Sequence, residues 1–183
     1  MIIMIIIKLS KRCVNNMIRQ ANFNDLKTIM EIYDIARVYM LNSNNPTQWK
    51  EGYPSQALIE NDIKQGHLYV IEYHHQIHGV FMFFVGKDPT YDNIENGQWL
   101  NELDYGVIHR VASDGKVKGI FNECVAFCKQ QINNLKIDTH FDNQTMQHVI
   151  CKNGFKKCGV IYVEDGTARI AYQWFLENKE NMV

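Results

Sequence analysis

The sequence predicts one α/β (α+β) domain, and three observations carry that prediction. Strand-like runs rich in β-branched and aromatic residues alternate along the chain with segments whose apolar residues recur at helical spacing. Two pairs of neighbouring strands, around His74-His75-Gln76 and around Glu164-Asp165-Gly166, are joined by short turns and read as hairpins. No internal repeat or linker divides the chain, and 46% hydrophobic residues in 183 suit a single sizeable core.

Residues 1–16 read as a tail outside the domain, 17–176 as the domain, and 177–183 as a C-terminal tail. The apolar run Met1–Ile7 is far shorter than the roughly 20 residues that span a bilayer. It also lacks the basic start and small-residue cleavage site of a signal peptide. Met17-Ile18-Arg19-Gln20-Ala21 begins a self-consistent pattern, with Ile18–Ala21 a short strand and Asn24-Asp25 an N-cap pair. Apolar residues at 26, 29, 30, 32, 33, 36, 38, 40 and 41 then trace a helix, which Asn42-Ser43-Asn44-Asn45-Pro46 ends. Trp49 and Tyr53 stand in the irregular loop that follows, as a small satellite core or as a pocket wall. Ser55 caps a second helix, Gln56–Lys64.

After Gly66 comes the hairpin of Leu68–Tyr73 and Ile77–Val85. His74, His75 and His78 sit at its tip with no cysteine near in sequence, and read as a solvated turn rather than a metal site. No metal is expected. The excursion from Asp88 to Leu100 is longer than a hairpin needs, and such segments often carry binding surface. A central strand at Tyr105–Ser113 leads through a glycine loop into a helix from about Val117 to Ile132. Leu135–His140 is a further strand, and Asp142-Asn143 caps the helix Gln144–Lys152, which Gly154 ends in a left-handed conformation. The strands Lys156–Val163 and Ala168–Phe175 close the domain.

Net charge is −1, with Lys and Arg dispersed, which argues against a dedicated nucleic-acid or membrane-surface binder. Five cysteines without a C-x-x-C pattern point to reduced thiols and a cytoplasmic protein. The chemistry concentrates between the central strand and the helix after it. Gly115 and Gly119 bracket Lys116-Val117-Lys118, and no acidic residue lies between Asp114 and Glu123. A strand ending in such a loop at a helix start offers free backbone N–H groups and a favourable dipole to a phosphate. Two well-known phosphate loops are excluded, since neither G-x-x-x-x-G-K-[ST] nor G-x-G-x-x-G occurs.

The element order resembles that of the GNAT superfamily of acyl-CoA-dependent N-acetyltransferases. Lys116-Val117-Lys118-Gly119-Ile120-Phe121 aligns with its pyrophosphate loop, [RQ]-x-x-G-x-[GA], and Asn143 with Asn153-Gly154-Phe155 aligns with its later Asn…x-G-F pattern. Trp49 with Gly52-Tyr53-Pro54, Ile108-His109-Arg110, Asp138-Thr139-His140 and Met146-Gln147-His148 resemble stretches of one bacterial branch. The resemblance implies a mixed, mainly antiparallel sheet of six to seven strands, helices on both faces, and a central parallel pair that splays apart. It implies acetyl-CoA as acyl donor, a small-molecule or amino-acid-like amine as acceptor, and direct attack in a ternary complex. The donor would lie along Arg110, Val111 and Ala112, with its pyrophosphate on residues 116–121 and Asn143 on the pantetheine region. Trp49, Tyr53, Trp99 and Tyr105 would line the acceptor pocket.

Three departures stand out. Lys116 replaces Arg or Gln, Phe121 replaces a small residue, and Ile150 stands where the family often has an acidic tyrosine hydroxyl. Phe121 must turn toward the core or displace the donor slightly. The family's strand-borne glutamate is also not evident, and Asp104 and Tyr105 are the nearest polar candidates. These departures leave a GNAT-fold acyl-CoA sensor as the alternative function. His109 and His140 flank the expected thioester position and are the residues to test for proton transfer, with His148 a weaker third. Asp138 and His140 share a strand face by the two-residue period, which suits an orienting Asp–His pair as well as a catalytic one. The sequence leaves oligomeric state open, a homodimer included.

Overall fold

The computed structural model describes residues 16–177. Seven strands join into one sheet. At one edge β1 (Asn16–Gln20) pairs with β2 (Leu68–Tyr73), which turns back into β3 (Gln76–Val85). The next strand, β4 (Gly106–Ser113), is antiparallel to β3 and parallel to β5 (Asn134–Thr139). Strand β6 (Lys156–Tyr162) closes the far edge, separated from β5 by β7 (Ala168–Phe175). All pairs except β4–β5 are antiparallel. Four helices, α1 (Leu26–Asn42), α2 (Gln56–Lys64), α3 (Ile120–Gln131) and α4 (Gln144–Lys152), cover the sheet. Of the expected tails, 1–16 and 177–183, residues 1–15 and 178–183 lie outside the described residues, while Asn16 belongs to β1 and pairs with Tyr73.

Two faces of the sheet hold separate cores. Ile29, Ile32, Tyr33 and Ala36 of α1 and Ile59 and Ile63 of α2 bury against Leu68, Val70, Val80 and Ala112. On the other face Ile120, Cys124, Val125 and Cys128 of α3 and Ile150 of α4 pack on Ile71, Phe81, Ile108 and Ile137. Each fully buried aliphatic side chain contributes about 1.5–3 kcal/mol. A third cluster, Tyr91, Tyr105, Val107, Ile161 and Ala171, seats the excursion after β3 on the sheet.

Local chemistry corrects four expectations. Asp25 does stand at the N-cap position of α1 but makes no side-chain cap; the capping bonds belong to the 3-10 turn Phe23–Asp25 before it, where Asn22 accepts from the Asn24 N–H at 2.9 Å and Asp25 from the Asn22 N–H at 2.8 Å. Asp25 is otherwise committed to Arg19, 2.7 Å away. Helix α3 begins at Ile120 rather than near Val117, because Gly119 adopts a left-handed φ of 85° that a helix interior does not accept. Strand β5 ends at Thr139, which leaves His140 in the turn beyond it. His74 and His75 do form an exposed two-residue turn, at φ 51° and 62°. His78 departs from the tip and is buried, with Nδ1 2.8 Å from Asp114 Oδ2.

Candidate active site

The site begins with a bulge in β4. Val80 pairs with Ala112 and Met82 with His109, so Arg110 and Val111 together face the single residue Phe81. Arg110 takes a φ of 50°, a left-handed conformation that costs a non-glycine residue about 1 kcal/mol or more. Two buried contacts hold it there. Its guanidinium donates to Asp62 Oδ2 of α2 through Nη2 at 2.6 Å and Nε at 3.1 Å. Its carbonyl accepts from the Tyr33 hydroxyl of α1 at 3.0 Å. Burial alone disfavours the Arg110 charge, but Asp62 prevails and keeps the group firmly protonated. The Tyr33 phenol, pushed up by burial, likewise keeps its proton and remains a donor.

The bulge turns β4 away from β5. The two strands pair only from Gly106–Ile108 to Leu135–Ile137. Where the pairing stops, a cleft of about 810 Å³ opens. Ile108, His109, Arg110 and Val111 form one wall, Ile137, Asp138 and Thr139 another, and Trp49, Tyr53, Met82 and Phe84 an apolar side. Trp49 is edge-on to Tyr33, with ring centres 5.7 Å apart, so the aromatic loop after α1 both packs on the core and lines the cleft.

His109 lies between two carboxylates. Its Nε2 is 2.8 Å from Asp88 Oδ2 and its Nδ1 is 3.5 Å from Asp138 Oδ1. Asp88 comes from the excursion after β3 and is itself fixed, since its Oδ1 accepts from the Thr90 N–H at 2.9 Å and its own N–H donates to the Tyr105 hydroxyl at 3.1 Å. Burial works against the Asp88 charge, yet bonds from His109 and Thr90 outweigh it and hold the carboxyl at about 2. Asp138 Oδ1 accepts from the Tyr91 hydroxyl at 2.9 Å. Burial first, and Asp138 second, push the Tyr91 phenol well up, so it acts only as a donor.

Asp138 also faces Arg169 of β7, with 3.9 Å between Oδ2 and Nε. Arg169 is buried, and its Nη2 reaches the Gln48 carbonyl at 3.3 Å. Among the described residues its Nη1 has no hydrogen-bond partner, and neither does the buried Thr139 hydroxyl. Both residues line the cleft. Burial pulls the Arg169 pKa down more than Asp138 and Asp165 restore it. Asn143 lines the cleft with its side chain already engaged, accepting from the Met146 N–H at 2.9 Å and donating to Gln48 Oε1 at 2.8 Å.

The glycine loop follows directly on β4. Gly119 precedes α3 with no side-chain cap, so the N–H groups of the first helical turn are free for an anion. Lys116 and Lys118 are exposed, and Asp114 at the loop's entrance engages Lys116, with 3.6 Å between Nζ and Oδ2. The Asp114 Oδ2 also meets His78, and its Oδ1 accepts the Lys116 N–H at 3.0 Å. Phe121 is buried in the core beneath α3, so its ring leaves the helix start open. Cleft, bare helix start and exposed lysines together could hold a long thioester donor that carries a pyrophosphate.

The expected site residues divide accordingly. His109, Arg110, Val111, Asn143, Trp49 and Tyr53 meet at the cleft. Ala112 is buried beneath α1, and Lys116, Val117, Lys118, Gly119, Ile120 and Phe121 make up the loop and helix start. Trp99 and Tyr105 do not line the cleft; they pack with Tyr91 in the third core cluster and sandwich the buried Lys136 ammonium, 3.9 Å from each ring centre. His140 is not brought to the cleft and does not pair with Asp138. Beyond the strand end, its Nδ1 accepts the Asp142 N–H at 3.2 Å, and burial followed by Arg169 lowers its pKa. His148 is exposed on α4, and Ile150 is core. Asp88, Asp62, Tyr33, Tyr91 and Arg169 escaped the sequence reading. The one available signal was for Asp88, an Asp-Pro-Thr turn opening an overlong excursion.

No family model and no curated protein sequence matches the chain significantly. Solved structures do. A GNAT-family acetyltransferase from Streptococcus agalactiae 2603 is 28% identical, with a TM-score of 0.82 over 89% of this chain and 96% of that one. One of the GNAT family from Listeria monocytogenes 4b F2365 is 18% identical, with a TM-score of 0.66 over 88% of this chain and 95% of that one. A ribosomal-protein-alanine N-acetyltransferase from Brucella melitensis shares the fold at 17% identity and a TM-score of 0.57, over 87% of this chain and 99% of that one. The sheet order and the splayed parallel pair are those of the GNAT fold, and the likeness to the Streptococcus agalactiae protein supports a GNAT-superfamily N-acetyltransferase.

Proposed function

We propose that the protein transfers an acetyl group from acetyl-CoA to the primary amine of a small-molecule or amino-acid-like acceptor, by direct attack with both substrates bound. The observation that carries this reading is the cleft at the parting of β4 and β5, with His109 held in its wall by Asp88. Acetyl-CoA, when bound, supplies an activated acyl carbon and a thiolate leaving group. Past Ile108, β4 has no partner on its β5 side, so its backbone groups there are free to orient the acyl carbonyl and the pantetheine arm. Residues 116–121 would hold the pyrophosphate through the uncapped N–H groups at the start of α3 and the two lysine side chains.

On the opposite side of the cleft, Trp49, Tyr53, Met82 and Phe84 exclude water from the acceptor. Asp88 accepts from Nε2–H and so selects the tautomer of His109 whose Nδ1 takes a proton. A proton leaving the amine reaches that nitrogen through water, and Asp88 and Asp138 stabilise the resulting imidazolium. Positioning can supply more of the rate than this proton transfer does. Ile150 offers no hydroxyl, so the leaving thiolate takes its proton from solvent.

The test is thiol release from acetyl-CoA across a panel of amines. Amine-dependent release with formation of the N-acetyl product is expected. Protein that binds acetyl-CoA yet acetylates none of the panel would overturn the reading.

A further inference from the structure

We infer that the acceptor carries a carboxylate beside its amine, and that Arg169 is the residue that binds it. This rests on the acetyl-transfer reading of the same cleft and names its substrate class. Arg169 reaches the site from β7, where Ala171 is the register partner of Asp138 and Arg169 lies two residues further along the same face. The side chain is 9% exposed, and the residue lines the cleft. A guanidinium has five N–H donors in a planar fork. In Arg169 one of them makes a 3.3 Å bond to the Gln48 carbonyl. Nε stands 3.9 Å from Asp138 Oδ2, too far for a hydrogen bond, and Nη1 has no partner among the described residues.

The nearby anions do not complete it. Asp138 gives its other oxygen to Tyr91 and faces His109 with it. Asp165, at the cleft mouth, pairs with Lys50 at 2.7 Å. A buried guanidinium with an unused edge is incomplete, and a planar carboxylate matches its fork. The Asp138 carboxylate sits between Arg169 and His109, with one oxygen toward each. An acceptor spanning that carboxylate would put its own carboxylate at the fork and its amine beside the imidazole. That span suits a compact amino acid rather than a protein surface. The low exposure of Nη1 implies that a small turn of the side chain accompanies binding.

The test separates this inference from the acetyl-transfer reading by measuring binding without turnover. N-acetyl amino acids, the products of the proposed reaction, are titrated calorimetrically against wild-type protein, each beside its own carboxamide. At least one acid is expected to bind about ten- to a hundredfold more tightly than its amide, the range of a charge-assisted pair. In R169Q and in R169K, which keeps the charge but loses the fork, that preference is expected to shrink by about tenfold or more. Equal binding of every acid and amide by the wild type overturns the inference, whether or not the variants fold. An acid preference that persists undiminished in folded R169Q overturns the role of Arg169. Loss of acetyl-CoA turnover with the acid preference intact counts against the transferase reading alone.

Discussion

Asp88 Oδ2 and His109 Nε2 are 2.8 Å apart, joining the excursion after β3 to the bulged strand β4. The other nitrogen, Nδ1, faces Asp138 at 3.5 Å, and in the proposed reaction it is the one that takes a proton. His109→Gln is expected to lower kcat by about 10²–10⁴-fold with little change in acetyl-CoA affinity. Asp88→Asn, which keeps the shape but frees the tautomer, should lower kcat less and displace the pH–rate profile. Steady-state kinetics across pH checks both. Unchanged profiles would make the pair structural.

The same contact has a consequence for acid stability. Burial opposes the Asp88 charge, but His109 and Thr90 hold its carboxyl at about 2, below the ordinary 3.8. A depressed carboxylate stabilises the fold above about pH 4 and loses that contribution as pH falls toward 2. The contribution is on the order of 2 kcal/mol. Urea unfolding of wild type and Asp88→Asn should show a stability gap that narrows across that interval.

Arg110 is the strained residue of the site, and its two anchors are separable. Asp62→Ala leaves a buried guanidinium uncompensated and should cost about 3–5 kcal/mol. Tyr33→Phe removes only the bond to the Arg110 carbonyl and should cost about 1 kcal/mol. Denaturant unfolding ranks the two. A smaller loss for Asp62→Ala than for Tyr33→Phe would mean that the backbone bond, not the ion pair, holds the bulge.

Gly119 tests the donor's position. A Cβ there would meet only Asn122 Nδ2, at 3.8 Å, so space is not the constraint; the φ of 85° is. Gly119→Asn, a residue that tolerates left-handed backbone, should weaken acetyl-CoA binding only modestly. Gly119→Glu adds a carboxylate where the pyrophosphate is expected and should abolish binding in calorimetric titration. Equal affinities for the two variants would move the pyrophosphate elsewhere.

Much of the fold was legible in the sequence because its signals are local. Ser55 capping α2, Gly154 ending α4 and the hairpin around His74-His75 act through bonds spanning a few residues. Gly97 and Gly159 were not legible as a pair. A Cβ on Gly97 would fall 1.9 Å from the Cys158 carbonyl, and one on Gly159 would fall 2.6 Å from the Glu95 carbonyl. These glycines let the excursion lie against β6, and that seating delivers Asp88 and Tyr91 to the site. Nothing in either local stretch announces the contact.

By itself the sequence determined the element order, the bare glycine loop at the start of α3 and the placement of His109 on the central strand. Each follows from periodicity or turn chemistry within a dozen residues. Only the tertiary structure decided that Asp138 faces His109 and Arg169 rather than His140, and that Trp99 and Tyr105 enclose Lys136 instead of lining the cleft. Strand alternation places Asp138 and His140 on one face only while the strand continues, and β5 ends at Thr139. Beyond that point, packing among distant segments sets each side chain's neighbours. The charge balance of the site is therefore a property of the assembled sheet.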